Sequence, residues 1–244
     1  GAGVSSSAAL VIALLRALVA AQKLTFPTDE QLAGMAQRIE HEFIGTQCGI
    51  MDPMVVAAAS FGCCMILDCR SLEYEFLPLP VAHVVAVILS GSVRKLSNSG
   101  YNQGRAECAS AAKILGVDTL RNATEDMLLE FASNNEMRRA KHVISENARV
   151  KRAAECLVRN DPASLGNLMD ESHNSLLNDY EVSSQELDQL VGSLRSAGAL
   201  GARLTGAGFG GCVVALCEKA SFDAVISHAL LRNPDSYLID LIRN

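Results

Sequence analysis

The chain has 244 residues, enough for one large or two modest domains and for a sizeable buried core. Hydrophobic residues at 49% and charged residues at 20% exclude an extended disordered chain. The net charge of −6 argues against non-specific nucleic-acid binding, and no basic stretch interleaved with aromatics reopens that class.

In chain order, residues 8–22 (AALVIALLRALVAAQ) read as a mostly buried helix. Phe26, Pro27 and Thr28 end it, and Thr28 with Gln31 has capping-box spacing for a second helix through about Phe43. Gly45 to Asp52 is read as a loop, or a loop running into another helix. CCMILDC (63–69) and YEFLPL (74–79) predict two strands turning at Arg70 and Ser71. Pro78 and Pro80 mark a domain boundary, giving 1–80 and 81–244. HVVAVILSG (83–91) reads as a buried strand, followed by helices near 100–115, 135–159, 163–177 and 184–196. GARLTGAGFGGCVVALC (201–217) predicts strand, glycine turn, strand, with a closing helix (221–231) and strand (237–242). The mixture implies an α+β protein of two domains.

Eight cysteines, without CxxC pairs or zinc-like spacing and mostly inside apolar runs, read as reduced, buried thiols of a cytoplasmic protein. No apolar stretch of roughly 18 residues is free of charge, so no membrane span is expected. The chain opens on Gly-Ala-Gly without an initiator methionine, and is expected to lack the first segment of a longer protein.

Three features carry chemistry. Gly1-Ala2-Gly3-Val4-Ser5-Ser6-Ser7 stands directly before the first helix, where glycines admit an anion and the helix start offers unpaired N–H groups. Without a Gly-Lys-Ser/Thr it is no Walker loop, and taken alone it also fits a serine-rich helix cap. Gly206-Ala207-Gly208-Phe209-Gly210-Gly211 is a turn needing unusual φ or close backbone approach, or else a plain β-turn. Glu40 and Asp52 suit a metal ligand and a general base, although by pattern alone both also read as surface acids.

These motifs, with IEHEFIGTQCGIMD (39–52), LDCRSLE (67–73) and SHNSLLNDYEVSSQELDQL (172–190), resemble in order and approximate spacing the galactokinases of the GHMP family of small-molecule kinases. The resemblance covers nearly the whole chain. It implies a two-domain GHMP-kinase architecture, a truncated S5-like α/β domain followed by a ferredoxin-like α+β domain, with the active site between them. It implies ATP-dependent phosphorylation of galactose at the anomeric hydroxyl, with Mg2+, by a monomer. Gly1, Gly3, Ser5 and Ser6 would then cradle ATP phosphates, with Gly206 and Gly208 supporting them. Ser7 and Glu40 would hold magnesium, Asp52 would be the catalytic carboxylate, and Gly49 and Tyr101 would contact the sugar.

Two departures stand out. The family's first motif (Arg-x-Asn-Leu-Ile-Gly-Glu-His-x-Asp type) would precede residue 1, and the glutamine usual after the catalytic aspartate is Pro53, expected to shift that segment. His41 and His173 are read as supporting residues, Arg94 as either a site residue or a solvated one, and Cys212 as a small buried residue. Another sugar (N-acetylgalactosamine, arabinose or galacturonate) or a non-catalytic sugar and ATP sensor are the competing readings.

Overall fold

The computed structural model describes residues 4–45, 47–92 and 98–243, except for the side chains of Asn98, Ser99 and Tyr101. Its internal contacts divide the chain into two units, Gly1–Leu79 and Pro80–Arg243.

The first unit is a packet of helices α1 (Ser6–Ala21), α2 (Asp29–Ile39) and α3 (Met51–Ala58), followed by the antiparallel pair β1 (Cys63–Leu67) and β2 (Tyr74–Pro78). Thr28 caps α2 as its spacing predicts: its hydroxyl accepts the Gln31 N–H at 3.3 Å, and the Gln31 side chain accepts the Thr28 N–H at 2.9 Å. The core joins Val11 and Ile12 of α1, Leu32, Ala33 and Ala36 of α2, and Met54 and Ala57 of α3. Ala33 and Ala36 are fully buried, so the neighbouring helices approach α2 without a long side chain intervening. Arg16 sets the directions, donating to the Ala57 carbonyl at 2.7 Å and ion-pairing with Asp29 at 3.5 Å. The upper part of α1 thus meets the start of α2 and the end of α3.

The second unit is a four-stranded antiparallel sheet in the order β4-β5-β3-β6, made of β3 (His83–Leu89), β4 (Gly201–Thr205), β5 (Cys212–Glu218) and β6 (Tyr237–Arg243). Helices α4 (Asn98–Ile114), α5 (Glu125–Leu128), α6 (Asn135–Val158), α7 (Pro162–Asn178) and α8 (Gln185–Ser196) fill the connection from β3 to β4, and α9 (Phe222–Arg232) joins β5 to β6. This strand order and direction is the ferredoxin-like sheet expected above. Leu187, Leu190, Val191 and Leu194 form the buried face of α8 against Ala202, Leu204, Val213 and Ala215. Each buried leucine contributes about 2 kcal/mol of apolar transfer. Among the described residues no helix is long and apolar enough to cross a membrane.

Helix α7 covers the outer edge of β4. The Asp170 carboxylate accepts the Ala202 N–H at 3.0 Å, and His173 Nδ1 accepts the Leu204 N–H at 3.4 Å. The outward donors of an edge strand are therefore satisfied by helix side chains. This requires the helix to lie almost on the strand backbone: a Cβ at Gly166 would run into the Leu200 carbonyl. Replacing Gly166 with alanine is expected to cost about 2–3 kcal/mol by overpacking. Gly192→Ala on the exposed face of α8, where a methyl meets open space, should instead gain about 0.5–1 kcal/mol. Urea unfolding of the two variants checks the pair.

Candidate active site

The serine-rich stretch becomes the first turn of α1. Ser5 is its N-cap in the left-handed region (φ 56°), without a side-chain capping bond, and no acidic residue occupies the first turn. Ser6 and Ser7 are exposed. Hydroxyls and free N–H groups therefore collect at a positive helix end that nothing in the first turn offsets. Gly1 and Gly3 lie outside the described residues.

At Glu40 the chain leaves the α-helix for a single π-helical turn, Glu40–Ile44, closed by Gly45 at φ 80°. Sequence periodicity continues the helix to Phe43; the structure widens the last turn, and such turns often occur at functional positions. Glu40 is 4% exposed, and its Oε1 has no hydrogen-bond partner. The surface-acid alternative therefore fails for Glu40, since an unpartnered buried carboxylate oxygen is costly.

The following loop is tied back by one carbonyl. Cys48 O accepts from His41 Nε2 at 2.9 Å and from Gln37 Nε2 at 3.2 Å. The proton of His41 is thus on Nε2, and its role is to hold the loop that delivers α3. Asp52 is half-buried in the first turn of α3, and exposed Gly49 precedes it with open space where a Cβ would be. Pro53 does not disrupt the segment. It is the third helical residue, where an N–H would find no intrahelical partner, and Met54 N bonds Ile50 O at 3.0 Å. With Arg16 meeting the start of α2 and the end of α3, Ser7, Glu40 and Asp52 all belong to the opposite ends of their helices.

A magnesium ion fits these residues. It binds protein through one or two carboxylates and completes its shell with phosphate and water oxygens. Glu40 Oε1 is a free oxygen of that kind. Among the described residues no group of three or more His, Cys, Asp or Glu forms a protein-only metal cage.

The second glycine motif is not a plain β-turn. Gly206, Gly208, Phe209, Gly210 and Gly211 all have positive φ, and a Cβ at Gly208 would enter the Val182 carbonyl. That carbonyl instead accepts the Phe209 N–H at 2.7 Å. Cys212, just after the turn, is fully buried, as a packing residue should be. The side chain of Tyr101, on α4, lies outside the description, as does Arg94.

Two histidines that frame this motif are neutral. His173, whose Nδ1 accepts from Leu204, donates from Nε2 to Asp188 at 3.2 Å, and burial lowers its pKa. His142 stacks on Tyr180 (centroids 4.6 Å apart) with Nδ1 3.0 Å from Ser175 Oγ, and burial pushes its pKa down to about 4.

Two family models match the chain, described as GHMP kinases N terminal domain over residues 1–62 and GHMP kinases C terminal over residues 153–232. The chain belongs to the GHMP kinase family. Its relatives include galactokinases: one from Roseiflexus sp. is 43% identical over 91% of this chain, and one from Bos taurus 41% identical over 93%. The chain spans 59% of the length of each. The crystal structure of Lactococcus lactis galactokinase complexed with galactose superposes with a TM-score of 0.91 at 29% identity, covering all of this chain and 67% of that one. The mevalonate kinase of L. major, in complex with R-mevalonate, shares the fold at a TM-score of 0.66 and 21% identity.

Two measurements check the site. Glu40→Gln replaces a buried carboxylate whose Oε1 has no hydrogen-bond partner and is expected to stabilise the metal-free protein by about 1–3 kcal/mol in urea unfolding. For His142, folded and unfolded states both hold a neutral ring above about pH 6.5. Below that the unfolded state alone takes up the proton, so stability falls until the folded ring titrates at about pH 4. The loss should reach about 3 kcal/mol, and His142→Gln should flatten that part of a pH-dependent unfolding series.

Proposed function

We propose that the full-length protein transfers the γ-phosphoryl group of ATP to the anomeric hydroxyl of galactose, releasing ADP and galactose 1-phosphate. The similarity to galactokinases over more than nine-tenths of the chain carries this reading. The buried, unpartnered oxygen of Glu40 supports its metal-dependent part.

The α1 start, with Ser5 and Ser6, receives phosphate oxygens through hydroxyls and free N–H groups. Residues Gly1, Gly3 and Gly206 let backbone approach the nucleotide without an intervening Cβ, and Gly208, whose Cβ space the Val182 carbonyl fills, shapes the ATP-binding turn. Ser7 and Glu40 hold magnesium, which when bound neutralises charge on the transferring phosphoryl group. Asp52 orients the sugar hydroxyl and takes its proton as the oxygen bonds phosphorus. Gly49 and Tyr101 contact the sugar. Phosphoryl transfer requires mainly positioning and charge compensation, and these residues supply both. With its eight cysteines outside disulfides, the protein works in the cytoplasm, as a monomer.

The test is a coupled ADP-release assay on the full-length protein with galactose, N-acetylgalactosamine, arabinose and galacturonate. Galactose is expected to give the highest kcat/KM. Asp52→Asn should lower kcat by about 10²–10⁴ while ATP binding persists. Sugar-independent ATP turnover, preference for another sugar, or an undiminished Asp52→Asn enzyme would each reject the corresponding part of the proposal.

A further inference from the structure

The short strap between α7 and α8, residues 179–184, is tied down along its length. Val182 N bonds Leu176 O at 3.1 Å, and Val182 O holds the Phe209 N–H. Ser183 Oγ donates to Asp188 at 2.5 Å, and Ser184 Oγ accepts the Leu187 N–H to cap α8. Two residues in this contact, Glu181 and Phe209, each have φ 58°. A left-handed backbone costs a non-glycine residue on the order of 1–2 kcal/mol and persists only where its surroundings enforce it.

Arg139 supplies much of that enforcement. Its side chain is nearly buried on α6 and uses all three guanidinium nitrogens. Nε donates to Glu107 of α4 at 2.8 Å, Nη1 to the Asp179 carbonyl at 2.6 Å, and Nη2 to Glu181 at 2.8 Å. The guanidinium carbon lies 5.9 Å from the centre of the Tyr180 ring, whose face also carries His142. Arg138 adds two bonds to the same Glu181 carboxylate, at 2.8 and 3.1 Å. A cavity of about 150 Å³ opens over this cluster. Gly100, Gln103 and Gly104 of α4 line one side, on either side of position 101, and Glu181, Val182 and Phe209 line another.

We infer that Arg139 is a positioning residue for substrate binding: through Glu107 it fixes the helix that carries Tyr101, and through Asp179 and Glu181 it fixes the strap that holds the glycine turn 206–211. This rests on the function proposed above, which assigns Tyr101 to the sugar and Gly206 and Gly208 to ATP. Arg139 touches no reacting atom in this account. A lysine could not replace it, because one ammonium cannot span three acceptors on separate elements in a fixed plane.

The test uses the full-length protein with Arg139→Lys and, as a milder variant at a more exposed position, Glu181→Gln. Amide exchange at Phe209 should accelerate at least tenfold in Arg139→Lys and several-fold in Glu181→Gln, with the β3 and β5 amides unchanged. In the sugar-dependent ADP-release assay, KM for sugar and for ATP should rise about tenfold in Arg139→Lys, with kcat reduced less than threefold. A purely structural role would lower kcat with the folded fraction and leave both KM values unchanged, which overturns the inference. Unchanged Phe209 exchange in both variants overturns it as well. If the unaltered protein shows no sugar-dependent turnover, the proposed function fails, and with it the catalytic part of this inference; the exchange data then stand as the separate measure of the strap.

Discussion

A buried carboxylate oxygen with nothing to bond is the constraint around which the first unit is arranged. Glu40 lies four residues after Ala36 and seven after Ala33, so the geometry of α2 turns it toward the buried face. Small Ala33 and Ala36 admit the neighbouring helices, Arg16 ties α1 to the far ends of α2 and α3, and the π-turn begins at Glu40 itself. The unit therefore holds in its folded state an electrostatic cost that a bound cation would relieve, a pattern in which stability is traded for function.

The second unit solves a different problem, how to place backbone against backbone. Where α7 crosses the start of β4 and where the strap meets the glycine turn, separation is so small that only a residue without Cβ fits. Polar groups displaced from water in these crossings are matched one by one, by Asp170, His173 and the Val182 carbonyl. The neutral state of His173 belongs to this matching, since a protonated ring could not accept the Leu204 N–H.

The parts legible in the sequence were those with local causes. The Thr28–Gln31 cap depends on residues three apart, and four glycines in six positions announce an unusual backbone wherever they occur. The alternation and periodicity of apolar residues located the sheet strands and the long helices to within a few residues. What escaped depended on distant partners. The burial of Glu40 is completed by the packing of separate helices, and one extra residue in a helical turn leaves no compositional mark. Pro53 suggested disruption because its type is visible in sequence while its place in the first turn of α3 is not. Arg139 reads as one more basic residue in a long amphipathic helix, since Glu107, Asp179 and Glu181 come from other stretches of chain.

The sheet order has a consequence for synthesis. Strand β3 lies between β5 and β6, both of which are made long after it. A ribosome that has emitted β3 and all the helices of the long crossover has yet to produce either of its neighbours. Val84, Ala86 and Ile88 must therefore wait, with both edges of their strand open, until β5 and β6 have been translated. Loop closure over so long a span is slow relative to helix formation. This interval is the one in which nascent chains would depend most on chaperones, and in which a stall near β6 would leave an aggregation-prone strand uncovered.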